Sequence, residues 1–257
     1  MPTLHKLPLN ERAYQQIKDR IITLELSPGS QVDERSLEEL LSIGRTPIRE
    51  ALFRLSAEEL VEVIANRGFF IKPITIEDVK SLFEAMLISE RASAVLAARR
   101  VREDHIGRLN QVHEHLQKAM GKQDYLQVTL SNSDFHRIIH ESIDNRFLCS
   151  SLNHLQNQAQ RLAYLAYSKE MTPNDLESHF KRVTKDHENI IALLKKRDEQ
   201  GLVHKVTEHI QLFYSRIVNF MSPPIESLDI ILESDSAKSG YEVREDPLAL
   251  TKGQTLP

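Results

Sequence analysis

The chain has 257 residues, 40% of them hydrophobic, which is enough for one large or two modest domains with a real core. Its single cysteine, Cys149, excludes an internal disulfide framework and a multi-thiolate zinc site, and fits a reducing compartment. No charge-free run approaches a membrane span and no apolar signal core opens the chain, so a cytoplasmic protein without a membrane partner is expected. The net charge of −4 gives no global argument for nucleic acid, since residues 1–75 carry 10 Lys or Arg against 11 Asp or Glu. Eight glycines, no tryptophan and many Leu, Glu, Lys, Gln and Ala predict a mainly α fold.

RAYQQIKDRIITLEL places Tyr14, Ile17, Ile21, Ile22 and Leu24 near helical spacing, and SPGS at Ser27–Ser30 stops that helix. A second short helix starts at the N-cap candidate Asp33. A third restarts after Gly44, with Thr46 as cap, Pro47 in the first helical position and Ile48, Ala51, Leu52 and Leu55 as its apolar face. LVEVIANRGFFIKPI then reads as two strands around the turn Asn66-Arg67-Gly68. Three helices and a hairpin make a winged helix-turn-helix over residues 1–75.

From Thr75 glycines become scarce, and amphipathic helices are predicted at 76–101, 103–121, 123–142, 145–167, 174–196 and 199–221. Helices of that length predict an antiparallel six- to seven-helix bundle with a central cavity over residues 76–221. The last segment, 222–257, holds 7 acids against 3 bases, along with prolines and serines, and is expected to be a disordered tail.

In a winged helix-turn-helix the second helix of the pair enters the major groove, where its first side chains reach base edges and phosphates. Arg45, Thr46 and Arg49 lie at that end of the third helix, and Arg35 starts the preceding one. An arginine fork pairs with two acceptors of guanine. Arg67 at the hairpin tip is placed to reach the adjacent minor groove, and Gly68 lets the backbone approach phosphate closely. Taken alone, such arginines read equally well as solvated surface.

The joint pattern is more specific. PGSQVDERSLEELLSIGRTPIREALFRLSAEELVEVIANRGFFI resembles the N-terminal domain of GntR-family transcription factors, over nearly all of residues 10–73. The resemblance implies DNA contacts by Arg35, Arg45, Thr46, Arg49 and Gly68. The departures are local: Asp33 stands for the usual Ser or Thr, Ser42 and Gly44 alter a turn, and Glu59 replaces a common glycine.

In the bundle, Asn132 and His136 lie four apart on one helix, and His187 and His209 fall on two consecutive later helices. Three imidazoles and an amide oxygen could converge on one divalent metal, although a histidine on such a helix is more often a satisfied polar group. NSDFHRIIHESIDN, followed by DHENII and a later EHI, looks like the effector domain (FCD domain) of the FadR-type branch of the same family. That resemblance implies a metal site at Asn132, His136, His187 and His209, with zinc, nickel or manganese as candidates and His140 as a peripheral residue. It also places Met86 where many members carry an arginine that grips an organic acid. A methionine cannot form that fork, so a less acidic or more apolar effector, or one held through metal or other side chains, is expected; the equal alternative is that Met86 simply fills core.

A metallohydrolase reading of His136 and His140 fails on its base, because Arg137 stands where a zincin has glutamate and Glu141 has no nucleophile to serve. A third reading makes the bundle a dimerisation scaffold alone. The expectation is therefore a non-enzymatic, ligand-responsive, DNA-binding regulator. It would act as a homodimeric repressor of a catabolic operon, bind an inverted-repeat operator and be released by a small-molecule inducer.

Overall fold

The computed structural model describes residues 7–168 and 173–221, and the segment expected to be a tail lies outside the described residues. In chain order the elements are α1 (Leu9–Ile22), α2 (Glu34–Leu41), α3 (Arg45–Ala57), β1 (Val61–Ile64), β2 (Gly68–Ile71), α4 (Ile76–Arg100), α5 (Glu103–Gly121) and α6 (Tyr125–Ser142). They continue with α7 (Arg146–Ser168), α8 (Pro173–Lys196) and α9 (Glu199–Met221). The fold is thus mainly α: a winged helix-turn-helix, then a bundle of six long helices among the described residues.

The first three helices bury Ala13, Ile17, Leu37, Leu41, Ile48, Leu52 and Leu55 against Phe69 of the hairpin, and this shared core gives helices too short to persist alone their stability. Two local expectations are corrected. Helix α1 ends at Ile22, because Leu24 takes a left-handed conformation (φ 62°) and leaves the helical spacing. Helix α3 is capped by Gly44, with Thr46 and Pro47 inside its first turn and no side-chain capping hydrogen bond. Asp33, by contrast, caps α2, accepting from the backbone N–H of Arg35 (3.0 Å) and Ser36 (3.3 Å), so a carboxylate serves where a hydroxyl is usual.

Strands β1 and β2 pair antiparallel, Val61 opposite Ile71 and Ile64 opposite Gly68. The segment after α1 joins this sheet: Gly29 and Val32 donate to the carbonyls of Ile71 and Phe69, each at 2.8 Å, which fixes the wing to the helical core. Glu59, just before β1, sits at φ 59°, which explains why glycine is common there: a Cβ makes the left-handed conformation costly.

Thr75 and Asp78 form a reciprocal capping box that starts α4 and marks the boundary of the second module. In the bundle α5 lies along α6, α4 along α9, and α7 against both α4 and α6. Val79, Leu109, Phe135, Ile190, Leu194 and Ile217 form its interior. Helix α7 also meets the winged module. Lys18 of α1 donates from Nζ to Tyr14 Oη (3.1 Å), Glu58 Oε2 (3.2 Å) and Asn157 Oδ1 (3.0 Å), and Asn157 Nδ2 in turn donates to Glu58 (3.1 Å). Lys18 is buried there, which lowers its pKa despite the adjacent Glu58 carboxylate.

Candidate nucleic-acid interface and metal centre

Helix α3 presents its N-terminal end to solvent, as the helix-turn-helix geometry requires. Arg45 and Thr46 are exposed, while Arg49 is half-buried. Its Nη1 lies 2.8 and 2.9 Å from the two carboxylate oxygens of Glu34 on α2, and its guanidinium sits 5.3 Å from the Phe69 ring and 5.8 Å from that of Phe53. Arg45 Nε is 3.6 Å from the same Glu34. The four donors therefore do not stand free as a cluster. Glu34 holds two of them, and Arg35 points along its own helix to Glu39 at 3.4 Å. This acid fixes where the two arginines sit.

At the wing, Arg67 is exposed at the hairpin tip with its guanidinium 5.1 Å from the Phe70 ring, while its carbonyl accepts a 2.6 Å hydrogen bond from Gln31. Gly68 has φ 91°, a conformation that strains any residue with a Cβ. Asn66 beside it is also left-handed at φ 61°, which asparagine tolerates.

In the bundle, His136 of α6, His187 of α8 and His209 of α9 converge, and one potential ligand atom from each lies within 4.8 Å of the others. Each comes from a different helix, so the site exists only in the packed bundle. His187 is fully buried, both its ring nitrogens lack hydrogen-bond partners, and its ring stacks flat on Phe135 at 3.9 Å. Burial and the neighbouring His209, His136 and His113 hold its pKa well below the usual imidazole value. His136 turns part of its surface to the cavity, but burial pushes its pKa down to about 3, with Glu90 opposing. Both rings are thus neutral at physiological pH, the state in which imidazole donates a lone pair to a metal.

His209 is oriented from behind. Its Nδ1 lies 3.2 Å from Asp186 Oδ2, and Asp186 is also bridged by Lys205 at 3.3 Å. A proton on Nδ1 shared with that carboxylate leaves Nε2 free as a ligand, the usual arrangement behind a metal-bound histidine. Orphaned buried nitrogens, neutral imidazoles and an orienting carboxylate together fit a divalent ion with nitrogen ligands. Asn132 lines the same cavity as His136 and His209, beside Met86, Glu90 and Gln156, in a space of about 40 Å³. That is room for about two or three waters around an ion.

His140 stands outside both the histidine cluster and the cavity lining, as a buried supporting residue. It is fully buried, its Nε2 lies 2.8 Å from Glu90 Oε1, and its Nδ1 lies 3.3 Å from Asn153 Oδ1. Burial opposes charge on both partners, yet the pairing outweighs it, raising the pKa of His140 and lowering that of Glu90. Of the pair, Glu90 lines the cavity and His140 holds it from behind. His179 is a further residue that sequence reasoning missed: it lines the same cavity, is buried, and has two unpartnered ring nitrogens. Asp186 was missed as well, although it stands directly before His187 in the sequence.

A DNA-reading module joined to a bundle with a ligand-binding cavity defines a class, the effector-controlled transcriptional regulators. Comparison with known proteins places the chain within that class. The family model for FCD domains matches residues 81–212, and that for bacterial regulatory proteins of the gntR family matches residues 9–71. The chain belongs to the GntR family of transcriptional regulators and carries an FCD effector domain. It is 23% identical over 207 residues to the HTH-type transcriptional repressor RspR of Escherichia coli, covering 79% of this chain and 86% of that one. Among solved structures, E. coli McbR/YncC superposes with a TM-score of 0.69 at 21% identity, covering 89% of this chain and 99% of that one. A GntR regulator from Rhodococcus sp. RHA1 has a TM-score of 0.64 at 17% identity, with coverage of 82% and 97%. These likenesses confirm the fold, and the curated relatives are regulators, not enzymes.

Proposed function

We propose that the chain is a homodimeric, cytoplasmic repressor of a catabolic operon. Its two winged modules read the halves of an inverted-repeat operator, and a small-molecule inducer acts at the cavity of the bundle, which must widen beyond its volume of about 40 Å³ to admit it. A divalent metal held by His136, His187 and His209, with Asn132 as the oxygen ligand, would anchor that inducer through open coordination positions. Arg35, Arg45, Thr46, Arg49, Arg67 and the backbone at Gly68 make the DNA contacts in this reading. The repressor assignment draws on the printed function of the relative RspR and on the commoner arrangement in the family.

The observation that carries the reading is the position of α7. One side of this helix gives Gln156, Ala159 and Ala163 to the histidine cavity, and the intervening residues Asn157, Gln158 and Arg161 touch the winged module at Glu58 and Lys72. A ligand that binds differently to two placements of α7 therefore biases the winged module, and with it operator affinity. Met86 lines the cavity with no charge to offer a carboxylate, which favours a neutral or metal-held inducer.

Fluorescence anisotropy on DNA from the protein's own promoter tests the reading. Specific binding should appear, and it should shift when zinc, nickel or manganese is added and again when the metal is chelated. Operator affinity indifferent to metal and to a metabolite screen would leave the bundle as a dimerisation scaffold only.

A further inference from the structure

A second cavity, of about 300 Å³, opens at the junction of the winged module and the bundle. Lys72 and Glu59 line it from the winged module, Asp78 and Leu82 from α4, and His154 and Arg161 from α7. It shares no lining residue with the histidine cavity.

Arg161 is the unusual group there. The residue is 2% exposed. Its Nη2 donates to the carbonyl of Lys72 at 2.7 Å, and its Nε is buried with no partner. No carboxylate among the described residues forms an ion pair with it. The two acids in the cavity wall are engaged elsewhere: Asp78 accepts from Thr75 N and Oγ1, and Glu59 lies 3.8 Å from both Lys72 Nζ and His154 Nε2 at the exposed rim. Burial brings the guanidinium down only to about 10, so it remains charged at neutral pH. An arginine withdrawn from water without a counter-charge is costly, and the cost falls when an anion completes its donor set.

We propose that the domain junction is a second ligand site, for a small carboxylate, in which the Arg161 guanidinium and the adjoining Lys72 ammonium pair with the acid. Beyond the N–H given to the Lys72 carbonyl, the planar guanidinium keeps further donors, and a carboxylate can accept two such donors in parallel. The volume lies at the lower end of small-molecule sites and suits an organic acid of a few carbons. Its occupant would tie α7 to the segment between β2 and α4, so it would stiffen the joint through which the bundle holds the DNA-reading module.

Calorimetric titration of the full chain with succinate, against sodium chloride at matched ionic strength, tests this. Saturable binding is expected in the wild type and is expected to persist after metal is removed with EDTA. Arg161→Gln, which keeps a donor for the Lys72 carbonyl, should weaken it about tenfold or more, as loss of a charge-assisted pair implies. If that variant does not fold, Lys72→Gln on the half-exposed wall should weaken it about threefold to tenfold. The proposal is overturned by absence of saturable succinate binding, by equal affinity in the folded Arg161→Gln or Lys72→Gln variant, or by loss of binding on EDTA treatment. Tighter binding of inorganic phosphate than of succinate would overturn the carboxylate assignment.

Discussion

Asp186 Oδ2 lies 3.2 Å from Nδ1 of His209, so a carboxylate on one helix fixes the tautomer and direction of an imidazole on the next. The neighbouring residue, His187, contributes to the same cluster from the same turn of α8. One short segment, Asp186-His187, thus supplies both a candidate ligand and the group that aims another.

Replacing Asp186 by alanine should therefore lower metal affinity by about 10- to 100-fold without removing a ligand. Competition with a chromophoric chelator measures this. An unchanged constant would show that Asp186 serves only the Lys205 bridge.

The buried His140–Glu90 pair makes a separate claim about stability. Glu90→Gln leaves an imidazole whose charge is no longer compensated and should cost roughly 3–5 kcal/mol, whereas a Glu90→Leu, His140→Leu double variant should recover much of that. The pH dependence follows from the two shifts. His140 has a raised folded pKa, so its contribution is complete below its unfolded value and is lost as pH rises through the folded one; Glu90 has a lowered folded pKa, so its contribution is complete above its unfolded value and is lost as pH falls. The stability difference between the wild type and the double variant should then peak between the ordinary values of 4.5 and 6.5 and fall on both sides. Urea melts across pH read it directly, and a flat difference would mean that the pair is not ionised.

The Glu34–Arg49 contact predicts opposite effects from its two partners. Arg49→Ala should weaken operator binding by about 1–3 kcal/mol with helix content unchanged. Glu34→Gln, which removes an acid from the DNA-facing surface, should strengthen non-specific binding and steepen its salt dependence. Parallel salt titrations of both variants check this, and equal slopes in Glu34→Gln and the wild type would place Glu34 outside the DNA-facing surface.

Most of the architecture was legible because its signals are local. The helices of the bundle were bounded to within about two residues by breaks such as Asp144-Asn145 and Arg197-Asp198, where the chain turns left-handed at Asp144 and Arg197. The Thr46 cap was misread because a threonine before proline carries a capping signature, while the turn geometry actually lets Gly44 fill that position. The convergence of His136, His187 and His209 rested on family resemblance, since spacing alone could not exclude ordinary core histidines. The Glu34–Arg49 pair, the His140–Glu90 pair and the orienting role of Asp186 were not legible. Each joins residues on different helices, and which faces meet is decided by packing that no single segment encodes.

The junction built on Lys18 yields a prediction about cooperativity. Lys18→Met removes the hydrogen bonds from Lys18 to Tyr14, Glu58 and Asn157 and leaves Glu58 with Arg54 as its cationic partner, at a cost of about 1–3 kcal/mol. Differential scanning calorimetry should show the winged module and the bundle melting further apart than in the wild type. A single transition, unmoved by the substitution, would mean that the two modules are coupled elsewhere.

The central claim is that α3 reads DNA sequence in a symmetric pair. Selection from a random duplex pool, run side by side with the wild type and an Arg45→Ala, Arg49→Ala variant, addresses it most directly. The expected result is an inverted repeat enriched by the wild type and lost in the variant, while both proteins retain the same circular dichroism. Enrichment of the same repeat by both proteins, or of none by the wild type, would contradict it.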